Sequence, residues 1–251
     1  MDITLDYIAP TGDVLPLITT GAPGNLAVPA AALDGFTPTI EDHTVAPLGE
    51  PGASPLFAER TIGPMTGTLP IRCATVTAWH TLRRAFSTWD PGTLKLTIDK
   101  TVYLLRVRLT QPLPFPAATP TPGTVVPVPL ISDRPGAWGA PESGQGTVTV
   151  TNWGDIPISP EILWNGPGGT VTLPSGATFI LPAVTTPHRL PLARSNSGRI
   201  IGPDGPNPTL TRQAAAAPEI VPRGTTRKYT LPTGARAYWE VAVFDPFGTT
   251  K

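Results

Sequence analysis

The residues able to do chemistry in this chain are few and scattered. His43, His80 and His188 are its three histidines, and none shows metal-ligand spacing to a second His, a Cys or a carboxylate. No G-x-S-x-G elbow is present to expose a serine nucleophile, nor a glycine-rich phosphate loop ending in Lys and Ser or Thr, nor H-E-x-x-H. Ser195-Asn196-Ser197-Gly198 reads as a turn. Apart from the adjacent Glu41-Asp42, the eighteen acidic residues are dispersed singly, and the paired carboxylates of glycoside hydrolysis would have to be brought together by the fold. The sequence therefore reads as non-enzymatic, with no catalytic residue, no metal site and no cofactor. Tryptophan is the remaining chemistry. Sandwich proteins stack sugars on exposed aromatic faces, and Trp138, Trp153, Trp164 and Trp239 are available. Trp153 and Trp164 are the carbohydrate-binding candidates; the opposing reading is that such rings fill the core of a thin sandwich.

The elements that would carry these residues are β-strands. In the first half, strand-like runs occupy Ile3–Ile8, Val14–Thr20, Leu56–Ile62, Thr66–Arg72, Thr93–Ile98, Thr101–Leu109 and Val125–Ile131. Leu94–Ile98 and Val102–Val107 read as a hairpin around Asp99-Lys100-Thr101. One segment breaks the pattern: Trp79, Leu82, Phe86 and Trp89 fall at steps of three and four, predicting a helix over about 76–89. Thr75 or Thr77 would cap it and Asp90-Pro91-Gly92 would stop it. Gln111–Gly123, QPLPFPAATPTPG, can be neither central strand nor helix and suits an extended polyproline-like loop.

The second half repeats the β signal in shorter runs. Gly146–Gly166 combines an alternating strand (Thr147–Thr151), a polar Asn-Trp-Gly-Asp turn and an extended run with prolines at Pro157 and Pro160. Proline removes a ladder donor, which places that run at a sheet edge or bulge. Further short runs follow, ending in Ala235–Phe244, with turns at Pro174-Ser175-Gly176, Pro203-Asp204-Gly205 and Pro232-Thr233-Gly234. In the last run, Ala237, Trp239, Val241 and Val243 make the better core face. The division expected is a domain over 1–137, a linker over 138–145 and a sandwich over 146–251.

Composition agrees with many strands and turns: 34 prolines and 25 glycines stand among 251 residues. Formal net charge is zero, which argues against binding driven by phosphate neutralisation. The charge is nevertheless segregated. Met1–Glu59 holds eight acidic residues and no Lys or Arg, whereas Arg60–Val125 holds eight basic residues against Asp90 and Asp99. Complementary faces of this kind favour head-to-tail contact that closes into a ring, with Arg60, Arg83 and Arg84 as candidate oligomer-interface residues. Cys73 is the sole cysteine, so no internal disulfide can form, and its alternating run makes it a small buried apolar residue. The N-terminus lacks the basic and apolar stretches of a signal peptide, and no window reaches the 18 or so apolar residues of a membrane helix.

Set in this order, the chain resembles the distal tail proteins of long-tailed bacteriophages, which form the hub between tail tube and tail tip. The first half matches in Glu59-Arg60-Thr61-Ile62-Gly63, the helix at Trp79–Trp89, the Leu94–Val107 hairpin and the closing VPVPLISDRPGAWG. The second half matches in VTNWGDIPISPEILWNG, GRIIGPDGPNP and IVPRGTTRKYTLP. Two departures are the interrupted turn Pro222-Arg223-Gly224 and the long proline-rich loop.

The resemblance implies a mainly β protein with an N-terminal split β-barrel-like domain carrying one helix, followed by a C-terminal galectin-like β-sandwich. It implies a structural virion protein of the tail tip or baseplate, made in the host cytoplasm and supporting host attachment. The implied partners are further copies of itself in a homohexameric ring, the major tail tube protein and the tail-associated hub or tip protein, with no membrane. Genome DNA would pass through the lumen without specific binding. The alternative is a carbohydrate-binding module acting in host-surface adsorption.

Overall fold

The computed structural model describes residues 2–29, 34–46, 52, 54–55, 60–116, 118–133 and 137–248. The chain divides into two compact units: Met1–Trp138 with Phe244–Gly248, and Gly139–Val243. Both are antiparallel β structures, as expected, and the first does not close into a full barrel.

The first unit contains β1 (Ile3–Ile8), β2 (Val14–Ile18), β3 (Leu26–Ala27), β4 (Asp34–Glu41), β5 (Thr44–Val45), β6 (Ser54–Pro55), β7 (Thr61–Cys73), α1 (Val76–Ala85), β8 (Gly92–Ile98), β9 (Thr101–Leu109) and β10 (Val125–Ser132). Pairing runs β2-β1-β8-β9-β10-β7, and β7 also carries β3 and β4. The ends of this curved sheet approach one another where Val28 N–H donates to the Leu17 carbonyl at 2.8 Å. Alternating residues fill the interior, among them Leu5, Leu17, Leu69, Ile71, Leu96, Leu105 and Val128. Cys73 is buried with them, and desolvation pushes its thiol up from the ordinary value.

Sequence and structure differ here in two places. Thr61–Cys73 is one long strand instead of two runs, because Pro64 lies beyond the part of β7 that pairs with β10 and within a bulge where β7 carries one residue more than β4. The upstream positions 56–59, including Glu59, lie outside the described residues. The β8–β9 hairpin forms with Ile98 opposite Thr101, and Asp99 takes the left-handed conformation (φ 53°) that lets so short a turn close. Helix α1 ends at Ala85, not at Trp89. Thr75 Oγ1 accepts from the Ala78 N–H at 3.1 Å to start it, and beyond Phe86 the Ser87 hydroxyl accepts from both Trp89 and Asp90 N–H at 3.0 Å, turning the chain away. Leu82 and Phe86 are buried, but Trp89 is 88% exposed.

Beyond Trp138, which belongs to the first unit, the second unit contains the rest of β11 (Trp138–Gln145), with β12 (Thr147–Thr151), β13 (Glu161–Gly166), β14 (Gly169–Thr172), β15 (Thr178–Leu181), β16 (Val184–Pro191), β17 (Ile201–Gly202), β18 (Gly205–Pro206), α2 (Pro208–Ala214), β19 (Thr226–Thr230) and β20 (Ala235–Val243). One sheet has the order β18-β17-β16-β13-β20-β11 and the other β12-β19-β14-β15. Each buries one face: Ile162, Trp164, Leu190, Trp239 and Val241 from the first, Val148, Val150, Val171, Phe179 and Tyr229 from the second. The expected inner face of the last strand is therefore the observed one.

Two elements were not expected. Trp138–Gln145, expected as a linker, is strand β11, because pairing beside β20 overrides the weak strand propensity of WGAPESGQ. Residues 208–214, to which the sequence assigns no element, form α2: Asn207 Oδ1 accepts from the Leu210 N–H at 3.0 Å, and Pro208 sits at the first helical position.

Candidate functional site

The strongest candidate surface lies in the first unit, where the end of α1 meets the proline-rich loop. Arg83 and Arg84 occupy the last turn of α1, where a cation suits the partial negative charge of a helix C-terminus. Arg83 turns inward along the surface. Its guanidinium donates to the carbonyls of Pro114 (2.8 Å) and Leu113 (3.0 Å) and lies 5.0 Å from the Trp79 ring centre. A fork of donors is needed to hold two carbonyls at once, and Arg supplies one. The loop is thereby pinned to the helix, with Leu113 buried and Phe115 94% exposed beyond it. Arg84 points to solvent and makes no hydrogen bond or ion pair among the described residues.

Between helix and loop opens a cleft of about 560 Å³, lined in part by Arg83, Arg84, Phe86, Asp90, Leu113 and Phe115. Its rigid base comes from Tyr7, whose ring stacks on Phe86 at 3.9 Å and whose hydroxyl donates to the Ala85 carbonyl at 3.3 Å. Gly92 leaves room for that ring, since an added Cβ would strike the Tyr7 hydroxyl. An exposed Phe beside two Arg is the composition of a protein-interface anchor.

The other expected interface residue, Arg60, is elsewhere in the pairing scheme. Its guanidinium makes a two-pronged contact with Asp42 at 2.6 and 3.1 Å, so it joins the acidic N-terminal segment to β7 within the chain. The structure thus brings Arg83 and Arg84 together and leaves Arg60 apart.

In the second unit the carbohydrate candidates separate. Trp164 is 3% exposed, its indole N–H donates to the Pro182 carbonyl at 3.0 Å, and its ring lies 5.8 Å from the buried His188 ring. It offers no face to a sugar, which corrects its place among the candidates: the inward side of β13 carries it into the core. Trp138 and Trp239 are buried as well. Trp153 is half-buried, with its indole nitrogen in the interior.

The Asn152–Asp155 turn is a structural corner. The buried Asn152 amide donates to the carbonyls of Ile156 (2.9 Å) and Val221 (3.0 Å), and its Oδ1 accepts from the Gly154 N–H at 3.0 Å. Gly154 is required because a Cβ there would collide with the Ala242 carbonyl. Among the described residues no group of three or more His, Cys, Asp or Glu could hold a metal ion. His188 Nδ1 donates to the Thr186 carbonyl at 2.8 Å, a partner that fixes the ring as part of the core. No helix among the described residues is long and apolar enough to cross a membrane.

Sequence reasoning did not single out Trp89 or Phe115 as exposed. The signal available was Phe115 between two prolines in a loop that cannot join a ladder.

No protein-family model and no curated protein matches the chain. Solved structures do match it. The phage SPP1 Dit protein, described as a paradigm of the hub adsorption apparatus in phages infecting Gram-positive bacteria, superimposes with a TM-score of 0.58 at 10% identity, over 96% of this chain and 99% of that one. A chain of the phage P2 baseplate in its activated conformation with Ca gives 0.57 at 9% identity, over 96% and 98%. The same baseplate with Sr gives 0.53 at 8% identity, with the same coverage. The fold of this chain is Dit-like from end to end.

Proposed function

We propose that this chain is a structural subunit of a phage tail: a distal hub that forms a closed ring between the tail tube and the tail tip or baseplate. The observation that carries this reading is whole-length likeness in both units at once, since 96% of the chain matches 99% of a hub protein. A shared fold alone does not fix function. The character of the surface adds to it: the α1–loop face presents exposed apolar and cationic anchors.

In this reading the first unit builds a homohexameric ring, with the major tail tube protein on one side and the tail-associated hub or tip protein on the other. The second unit sits in the attachment apparatus, and DNA crosses the lumen without sequence-specific contact. The protein acts by assembly and not by catalysis. Sugar binding finds less support, because three of the four candidate tryptophans are buried and only Trp153 keeps part of its surface accessible.

Light scattering on the purified chain across concentration tests the reading. A discrete closed oligomer is expected as concentration rises. A strict monomer at high concentration, with and without a tail tube partner, would contradict it.

A further inference from the structure

Two features of the first unit fit one another and lie on different elements. One is a knob. Phe115 projects into solvent from a loop whose Leu113 and Pro114 carbonyls are both held by Arg83, so the exposed ring is presented on a fixed stem flanked by prolines. The other is a socket. A cavity of about 280 Å³ is walled by Phe36, Leu96, Trp138 and Pro246, with Asp245 and Phe247 exposed at its rim.

The socket is built with care. Phe36 holds a left-handed backbone (φ 57°), which is uncommon for an aromatic residue, and its ring lies so close over Gly67 that a Cβ there would overlap it. The Phe36 and Trp138 rings meet at a tilt with centres 6.3 Å apart. Size and lining suit an aromatic side chain: an apolar cavity of roughly 150 Å³ already accepts benzene.

We propose that Phe115 of one copy seats in the Phe36–Trp138 cavity of the next, making the head-to-tail contact of the ring. This rests on the hub reading given above and names its interface. A knob and a socket at different places on one chain cannot pair two-fold; they generate a directional contact, which closes into a ring when the rotation permits. Charge supports a second copy as the occupant. Arg84 lies exposed beside the knob, whereas the socket carries Asp245 at its rim and draws on Phe36 of the segment Met1–Glu59, which has no Lys or Arg. Seating a fully exposed aromatic in a desolvated pocket is also the usual source of interface affinity.

Two arms of one experiment test this on the full chain. In the first, F115A is compared with the unsubstituted protein by native mass spectrometry across concentration. The exposed ring contributes nothing to the isolated fold, so thermal melting at concentrations below assembly should not change, while half-assembly should need roughly tenfold more protein or worse. In the second, F115C and F247C are mixed and oxidised. A disulfide between copies is expected in the mixture and not in either variant alone, and Cys73 is too buried to compete. Rings that assemble in F115A at the same concentration as in the unsubstituted protein, or rings that form without any 115–247 cross-link, overturn the knob and socket and leave the hub reading standing. Absence of rings from the unsubstituted protein overturns both.

Discussion

Arg83 donates to the Pro114 carbonyl at 2.8 Å, tying the end of a helix to a proline-rich loop 31 positions further on. A loop with this composition has few ladder contacts of its own, so the guanidinium is what fixes its path. R83A should free it. Allowing for solvent exposure, the loss in global stability is about 1 kcal/mol by urea denaturation. The sharper readout is local: limited proteolysis should cut within 111–123 much faster. R83K should resemble R83A, because an ammonium cannot bridge both carbonyls in the same geometry.

Asn152 satisfies two carbonyls and one N–H in a buried corner. N152A strands the Ile156 carbonyl and the Gly154 N–H, while the Val221 carbonyl keeps the Ile158 N–H, and a loss of about 2–4 kcal/mol follows from leaving buried polar groups unpaired. Chemical denaturation followed by tryptophan fluorescence measures it. A loss below about 0.5 kcal/mol would show that the corner is held by something else.

Trp164 and Trp153 should part company. W164A removes a buried ring and its bond to Pro182, costing about 3–5 kcal/mol or preventing folding. W153A should fold and cost less, since that ring is already half-exposed. A glycan array on the unsubstituted protein is expected to be blank. Specific glycan binding abolished by W153A would instead support the adsorption module.

Alkali should weaken the first unit through Tyr7. Burial pushes its hydroxyl from 10.0 up to about 12. The folded value lies above the unfolded one, so the contribution is fully present below pH 10 and is lost as pH rises through 10 to about 12. Burial raises Tyr229 and Tyr238 as well, so Y7F should flatten the alkaline decline in stability only in part. An unchanged decline in Y7F would place the effect elsewhere.

Salt should discriminate the forces in the proposed ring. Segregated acidic and basic surfaces attract across solvent, and such attraction is screened beyond roughly 8 Å at physiological ionic strength. Raising salt further should shift the oligomer toward smaller species in light scattering. A distribution insensitive to salt assigns the interface to apolar contact alone.

What was legible in the sequence was what periodicity and turn chemistry control. Ile3–Ile8 and Thr101–Leu109 stand where alternation placed them, and the inner face of Ala235–Val243 is the one carrying Trp239. What was not legible depended on pairing at a distance. Strand β11 has poor local propensity and exists because β20 lies alongside it; α2 follows from a single capping Asn. Helical spacing could not tell that Trp89 would leave α1 through the Ser87 hydroxyl and become exposed. Side-chain destinations were the hardest to read, since Trp153 and Trp164 look alike in sequence and differ in the burial that decides whether either could meet a sugar.

The proposed hub role is tested by imaging intact virions labelled with an antibody to the chain. Label is expected only at the distal end of the tail tube, on a closed ring. Virions that carry no label, or label along the whole tube or on the capsid, would contradict it.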